Sequence, residues 1–310
     1  MVMANALLGL VILVLAGDVL VRGAVNVSLR LGVPALIVSL TIVAMGTSAP
    51  ELLISIDAVV GGAPGIAIGN VVGSNIANVL LVLGLPALFV GLGTSSCETR
   101  SSFLQMLVGT VLFVAFAFLA PITWIHGSIL LGLYFLFMAH AIFSAHRQRI
   151  ADYDDVENVD VEAPWWKIVT YLMLGIIGLP LGADILVDSA TIIAREYNIS
   201  ETVIGLTLVA IGTSLPELAT TISAAFRRQA DVALGNVIGS NMANLLGIIG
   251  VAAFFGDIPV SQQVLSFDIW VMVGATLLLI PFVFFRQNLT RVWGVVFTGL
   301  YIAYIASVLI

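Results

Sequence analysis

Residues 46–55, GTSAPELLIS, and residues 68–84, IGNVVGSNIANVLLVLG, occur a second time as residues 212–221, GTSLPELATT, and residues 234–250, LGNVIGSNMANLLGIIG. Corresponding residues are 166 positions apart throughout both segments. Each copy places one carboxylate, several hydroxyl groups and several amides in an otherwise apolar stretch. Polar and ionisable groups are costly within a membrane and usually face a pathway or a partner, so this pattern indicates ion transport.

The composition of the chain is that of a protein surrounded by lipid. Of its 310 residues, 60% are hydrophobic and only 9% are charged, and the mean hydropathy is +1.15. So few charged groups cannot cover a water-soluble globule of this size, which indicates an integral membrane protein in contact with lipid. The net charge of −7 does not identify a partner, because much of the acid lies in one segment. The single cysteine, Cys97, cannot form an intramolecular disulfide.

Ten hydrophobic segments are long enough to cross a bilayer, which requires about 20 apolar residues. They lie near residues 3–21, 34–60, 65–91, 103–121, 124–145, 166–194, 200–226, 230–256, 267–285 and 291–310. The first carries Asp18 and lacks a basic leader, so we interpret it as a retained helix and not as a signal peptide. Five segments fall in residues 1–145 and five in residues 166–310. The predicted fold is an all-α membrane protein with ten transmembrane helices.

The basic residues predict the orientation of these helices. Ten of the 11 lysines and arginines fall in or beside odd-numbered connections, and only Arg195 falls in an even-numbered one. Basic loops stay in the cytoplasm, so both termini are predicted outside and the acidic linker, residues 146–165, in the cytoplasm. Five helices in each half then make the two repeats inverted, an arrangement in which transporters bind substrate near the midplane. The linker is expected to be a solvated tether; calcium sensing is the alternative, but it lacks the glycine and ligand spacing of an EF-hand loop.

Two prolines interrupt predicted helices near the middle of the membrane. Pro50 and Pro216 each remove a backbone donor and leave carbonyl groups upstream without their usual partners. Hydroxyl and carboxylate side chains surround both breaks, namely Thr47, Ser48 and Glu51 in the first repeat and Thr213, Ser214 and Glu217 in the second. These oxygen donors suit hard cations such as calcium, sodium or magnesium and not soft metals.

The charge of the predicted site narrows the choice of ion. If the inverted repeats bring Glu51 and Glu217 together, the two carboxylates repel each other in a low-dielectric site, and one divalent cation neutralises the pair. Calcium accepts irregular shells of about six to eight oxygen ligands, whereas magnesium requires octahedral order and gives up water reluctantly. The site therefore favours calcium, and sodium can use the same oxygens.

The second segment of each repeat combines small residues with amides. Gly69 and Gly73, like Gly235 and Gly239, are four residues apart, a spacing that lets helices approach closely. We expect ion ligation by Ser74, Asn78, Ser240 and Asn244, with interhelical hydrogen bonding as the alternative. For Asn70, Asn75, Asn236 and Asn241, hydrogen bonding is the favoured interpretation.

The paired GTSxPEL and GNVxGSNxxN motifs resemble the alpha repeats of the calcium/cation antiporter superfamily, most closely those of prokaryotic sodium/calcium exchangers. The resemblance covers both halves of the chain in order. It implies a secondary active antiporter, not an enzyme, that exchanges sodium for calcium by alternating access in a prokaryotic inner membrane. It implies no cofactor beyond the transported calcium and sodium ions and no nucleic-acid partner. An exchange of three sodium ions for one calcium ion, as in the family, makes the expected transport electrogenic, with the first and sixth spans as the moving gate.

The same resemblance implies a set of ion ligands. Glu51 and Glu217 coordinate the central calcium together with backbone oxygens of Thr47 and Thr213. The flanking sodium positions correspond to the Ala44 carbonyl, Ser48 and Ser240 on one side and to the Ala210 carbonyl, Ser214 and Ser74 on the other, with Asn78 at the centre. Asn244 departs from several relatives, which carry aspartate at this position, so we predict transport that does not require potassium.

Two other functions remain open at this point. A calcium/proton antiporter is possible on the same architecture, although its relatives usually show a GNxxE pattern where this chain has GTSxPE. A cation channel is the alternative from another class. Asp18 and Asp184 are also 166 positions apart, and for this pair we expect hydrogen bonds between packed helices and not ion ligation.

Overall fold

The computed structural model describes residues 2–119, 121–147, 163–197 and 210–309. Within these ranges the regular structure is helical, apart from two isolated backbone bridges. The first half contains α1 (Val2–Leu31), α2 (Ala35–Thr47), α3 (Ala49–Val60), α4 (Pro64–Val90), α5 (Arg100–Phe118) and α6 (Trp124–Arg147). The second half contains α7 (Trp165–Glu196), α8 (Ala210–Thr213), α9 (Leu215–Phe226), α10 (Ala230–Ala252), α11 (Val264–Phe284) and α12 (Arg291–Leu309).

Most of these helices have the length and composition of membrane spans. Of the helices in the described ranges, eight are long and apolar enough to cross a bilayer, or nine if the bent pair α2 and α3 is counted as one span. The protein is therefore an all-helical, multi-pass membrane protein, as the sequence predicts. Residues 200–209 of the predicted seventh span, and most of the predicted linker at residues 146–165, lie outside the described residues. The total of ten spans, the inversion of the repeats and the domain boundaries stay predictions.

The helix breaks lie two residues before the prolines. Helix α2 ends at Thr47 and α3 starts at Ala49, with a bend of 44° between them at Ser48. Pro50 occupies the first turn of α3, where its missing N–H would have no helical partner and its fixed φ favours helix initiation. Helices α8 and α9 are separated in the same way at Ser214. Each proline thus starts the second half of a broken helix.

The long helices α1 and α7 pack against each other through small residues. A Cβ atom added to Gly9 would lie 2.7 Å from the backbone nitrogen of Leu186, and one added to Gly175 would lie 2.5 Å from the Cβ atom of Leu20. These contacts require glycine and bring the two backbones close together, in an antiparallel direction. Much of the pair lies in a hydrophobic cluster, built around Leu13, Leu20 and Leu179, that is separate from the main core.

Helices α4 and α10, which carry the second motif of each repeat, lie in the interior. In their most apolar stretches 78% and 94% of the residues are buried, more than in the other candidate spans. Helix α10 lies directly against α2, since a Cβ atom on Gly239 would be 2.5 Å from the carbonyl oxygen of Leu40. The predicted close approach through this glycine is therefore present. It brings the second motif of one repeat against the broken helix of the other.

Candidate functional site

The two helix breaks place one buried glutamate from each half of the chain near the other. Glu51 lies in the first turn of α3 and Glu217 in the first turn of α9, and each is only 1% exposed. Ser48, three residues before Glu51 at the same break, is within hydrogen-bond distance of Glu217, so the two glutamates belong to one buried region. Both are at a helix N-terminus, where the helix dipole favours negative charge.

Glu217 receives hydrogen bonds from both halves of the chain. Ser48, at the break of the first repeat, donates its hydroxyl to Oε1 of Glu217 at 2.9 Å. Ser240 of α10 donates to the same oxygen at 3.5 Å. These contacts bring three of the predicted site residues together across the two repeats.

The turn before the first break is held by a backbone hydrogen bond and by the Thr47 hydroxyl, which has two acceptors within reach. The hydroxyl of Thr47 lies 3.3 Å from the Ala44 carbonyl oxygen and 3.4 Å from Oδ1 of Asn236. The Ala44 oxygen also accepts the backbone N–H of Ser48 at 3.0 Å. Because the Thr47 hydroxyl has one proton, it donates to one of these two oxygens at a time. The Ala44 carbonyl keeps a lone pair for a cation only while Thr47 donates to Asn236.

The second break differs in its backbone hydrogen bonding. The N–H of Ser214 donates to the Ile211 carbonyl at 3.0 Å, one residue closer along the chain than the corresponding bond of Ser48. Ala210 starts helix α8, and its side chain lies outside the described part of the chain. Ser74 and Thr213, from opposite repeats, line one cavity. The second-repeat break is thus near the first-repeat motif, as the first-repeat break is near the second-repeat motif.

Asn70 and Asn236 form nearly identical hydrogen bonds to the two broken helices. Nδ2 of Asn70 donates to the Glu51 carbonyl oxygen at 3.3 Å and to the Ser55 hydroxyl at 3.2 Å. Nδ2 of Asn236 donates to the Glu217 carbonyl oxygen at 3.3 Å and to the Thr221 hydroxyl at 3.2 Å. The hydrogen-bonding interpretation of these two asparagines fits these contacts. The hydrogen bonds to Ser55 and Thr221 were not predicted, although these two hydroxyl residues occupy the same position in the two repeats.

The central asparagines lie on π-helical turns within α4 and α10. Asn78 starts the turn Asn78–Val82 and Asn244 lies in the turn Ala243–Ile248. The turn with Asn78 packs against α9, which carries Glu217, and the turn with Asn244 packs against α3, which carries Glu51. Interruptions of this kind are frequent at functional sites.

Unpartnered polar atoms are concentrated at this site. In the described part of the chain, seven buried side-chain nitrogen and oxygen atoms have no hydrogen-bond partner, and six of them belong to predicted site residues. They are Oε2 of Glu51, Oε2 of Glu217, Oδ1 of Asn78, Oδ1 and Nδ2 of Asn244 and the hydroxyl of Ser214. Buried polar atoms are nearly always satisfied, so the five oxygens in this cluster fit a site whose partner is a transported cation.

Asp18 lies apart from this cluster and joins α1 to the end of α9. Its carboxylate forms an ion pair with Arg22 at 2.9 Å, accepts a hydrogen bond from Nε of Arg227 at 2.6 Å and contacts the Ser223 hydroxyl at 3.5 Å. The predicted helix-packing hydrogen bond of Asp18 is thus present, and it is also an ion pair. Its partner Arg227 was not predicted.

Comparisons with known proteins find similarity along almost the whole chain. The model of the family described as "sodium/calcium exchanger protein" matches residues 2–143 and again residues 167–310. The sodium/calcium exchanger MaX1 of Methanosarcina acetivorans is 36% identical, covering 96% of both chains. The inner membrane protein YrbG of Escherichia coli is 33% identical, covering 99% of this chain and 97% of its own.

A solved structure has the same fold over nearly the whole chain. It is that of the sodium-calcium exchanger NCX_Mj soaked with zero sodium and calcium. The match has a TM-score of 0.82 and 35% identity, and it covers 99% of this chain and 98% of the other.

Proposed function

We propose that this chain, which belongs to the sodium/calcium exchanger protein family, is a secondary active antiporter that exchanges sodium for calcium. The observation that carries the proposal is the pair of buried carboxylates, Glu51 and Glu217, each with an unpartnered oxygen. A divalent cation neutralises the pair and satisfies these oxygens at once. Calcium suits the irregular set of carboxylate, amide and hydroxyl oxygens better than magnesium does.

The contacts around the carboxylates support a ligand set with calcium at the centre. Glu51 and Glu217 bind it with backbone oxygens of Thr47 and Thr213, and Asn78 and Asn244 lie beside it. Sodium ions use the same carboxylates and two flanking positions. The first consists of Ala44, Ser48 and Ser240, and the second of Ala210, Ser214 and Ser74. The grouping of Ser48 with Ser240 is supported by their shared hydrogen-bond acceptor, Oε1 of Glu217.

The proposed architecture is ten spans in two inverted five-helix repeats, residues 1–145 and 166–310, with residues 146–165 as a cytoplasmic linker. Two backbone bridges support it. Leu92 pairs with Leu289, which joins two odd-numbered connections, and Ile122 pairs with Ile258, which joins two even-numbered ones. The first and fifth connections also meet, since the Arg30 side chain lies over the Trp165 ring at 5.1 Å. This is the pattern expected if odd and even connections lie on opposite faces. The proposed placement of both termini outside depends on the basic residues of the odd-numbered connections.

Exchange follows from the cost of an empty site. Two unbalanced carboxylates in a poorly solvated site repel each other, so reorientation without bound cations is unfavourable. Helices α1 and α7 are proposed as the moving gate, because they pack on each other and much of the pair lies in a separate hydrophobic cluster. Exchange of three sodium ions for one calcium ion is electrogenic. With Asn244 in place of a carboxylate, we propose that transport does not require potassium.

The test is calcium uptake into proteoliposomes that contain the purified protein. At equal pH on both sides, an outward sodium gradient is expected to drive calcium uptake, and a membrane potential set by an ionophore is expected to change its rate. The Glu51→Gln and Glu217→Gln variants, each with its shape kept and one charge removed, are expected to be inactive. Uptake driven by a proton gradient and indifferent to sodium would replace the proposal with calcium/proton exchange. Single-channel conductance without countertransport would replace it with a channel.

A further inference from the structure

One hydrogen bond at the centre of the site joins the two halves of the chain through amide side chains. Nδ2 of Asn78 donates to Oδ1 of Asn241 at 3.0 Å. Nδ2 of Asn241 in turn lies 3.5 Å from the Asn75 carbonyl oxygen. Asn78 is 1% exposed and so is Asn241, so water does not compete for these contacts.

This bond determines which atom of the Asn78 amide is left without a partner. With Nδ2 bound to Asn241, Oδ1 of Asn78 is left buried and unpartnered. The flipped amide would oppose its oxygen to Oδ1 of Asn241 and present its N–H groups to a bound cation, and both contacts are repulsive. We infer that Asn241 is a positioning residue that holds the Asn78 oxygen toward the transported calcium ion. This inference rests on the proposed function.

The corresponding bond in the other repeat is absent within the described part of the chain. Asn75, the counterpart of Asn241, donates its Nδ2 to the Val71 carbonyl of its own helix at 2.7 Å. Asn244, the counterpart of Asn78, has both amide atoms unpartnered. The two motifs have the same amide residues but different hydrogen bonds, so only one of the two central amides is held in orientation.

The repeat therefore supplies a matched control. Asn75 has the same residue type as Asn241, the same position in its motif and similar burial, at 2% exposure. Replacement of either residue by leucine removes an amide of similar size, and the Asn75 carbonyl oxygen is kept. Only Asn241→Leu releases the Asn78 amide.

The experiment measures calcium affinity from the calcium-induced rise in the thermal unfolding midpoint of the purified protein in sodium-free detergent solution. Asn241→Leu is expected to weaken the apparent affinity by about tenfold, because one oriented oxygen ligand is lost, whereas Asn75→Leu stays near wild type. Combined with Asn78→Ala, Asn241→Leu is expected to cause no further loss of affinity, because the oxygen that it orients is already gone. Midpoints without calcium report any general effect on folding. If Asn241→Leu does not fold, Asn241→Ala is measured instead, and the same loss of calcium affinity is expected.

Three results would overturn the inference. The first is that Asn241→Leu binds calcium as tightly as wild type, and the second is that it binds calcium no more weakly than Asn75→Leu. The third is that the losses of affinity from Asn241→Leu and Asn78→Ala add, as expected for a general packing role. If wild type itself shows no calcium-induced shift, the proposed function fails and the inference fails with it. A normal wild-type shift with an unaffected Asn241 variant refutes the inference alone.

Discussion

Replacement of Gly239 by alanine tests whether the close contact between α10 and α2 holds the site together. The added Cβ atom would lie 2.5 Å from the Leu40 carbonyl oxygen, 2.7 Å from the Ala44 Cβ atom and 2.8 Å from the Leu40 Cα atom. Carbon atoms pack at about 3.5–4.0 Å, so the two helices must move apart by about 1 Å. Because two of these atoms belong to the backbone, no side-chain rotation removes the clash.

The magnitude follows from a comparison with Gly274→Ala. Gly274 lies on α11 with no heavy atom of the described residues within 4 Å of an added Cβ atom. Both changes gain the same helix propensity, about 1 kcal/mol, so the difference between the two variants isolates the packing cost. We expect Gly239→Ala to be less stable than Gly274→Ala by about 1–3 kcal/mol. We also expect slower sodium-driven calcium uptake in Gly239→Ala, since the separation of α10 from α2 moves Ser240 away from Glu217.

The assay is unfolding of the two purified variants in the same detergent, followed by uptake in proteoliposomes at matched protein content. Equal stability and equal uptake of Gly239→Ala and Gly274→Ala would refute the close packing of α10 against α2. A stable Gly239 variant with slow uptake would show that the contact serves transport more than folding.

Three further predictions concern other parts of the chain. Asp18→Asn and Arg227→Gln should each lower the free energy of unfolding by less than about 1 kcal/mol, because this pair is partly exposed; fully additive losses in the double variant would show that the pair is not coupled. Burial raises the pKa of the Cys97 thiol, which keeps it protonated, so thiolate-directed alkylation near neutral pH should be slow until the protein is denatured, and rapid labelling of the folded protein would contradict this. Asn236→Leu should destabilise more than Asn70→Leu, because Asn236 also accepts a hydrogen bond from Thr47, and a larger loss from Asn70→Leu would reverse the argument.

The repeated motif and the composition were sufficient to predict a helical membrane protein with two broken helices. The predicted position of each break was less accurate, because the proline was interpreted as the point at which the helix is interrupted. In the structure the chain bends at Ser48, and Pro50 lies within the first turn of the next helix. A proline removes a helical hydrogen bond only where a preceding turn would supply a carbonyl acceptor for its N–H. The first turn has no such acceptor, so a proline there favours the start of a helix.

The proximity of Ser48, Ser240 and Glu217 agrees with the expectation from the motifs, but the hydrogen bonds of the amides were not predictable. Two nearly identical segments give different bonds, since Asn78 is bonded across the repeats and Asn244 is not. The difference depends on small differences in helix packing that residue spacing does not contain. The contact of Asp18 with Arg227 was missed for the same reason, because it depends on the rotation of α1 against α9.

The central claim is that one carboxylate from each half of the chain binds the same calcium ion. Equilibrium dialysis of radioactive calcium against purified protein in sodium-free buffer measures this directly, for wild type, Glu51→Gln and Glu217→Gln. We expect wild type to bind calcium and both single variants to lose that binding, with sodium displacing calcium from wild type. Binding of wild-type affinity in either variant would contradict the claim.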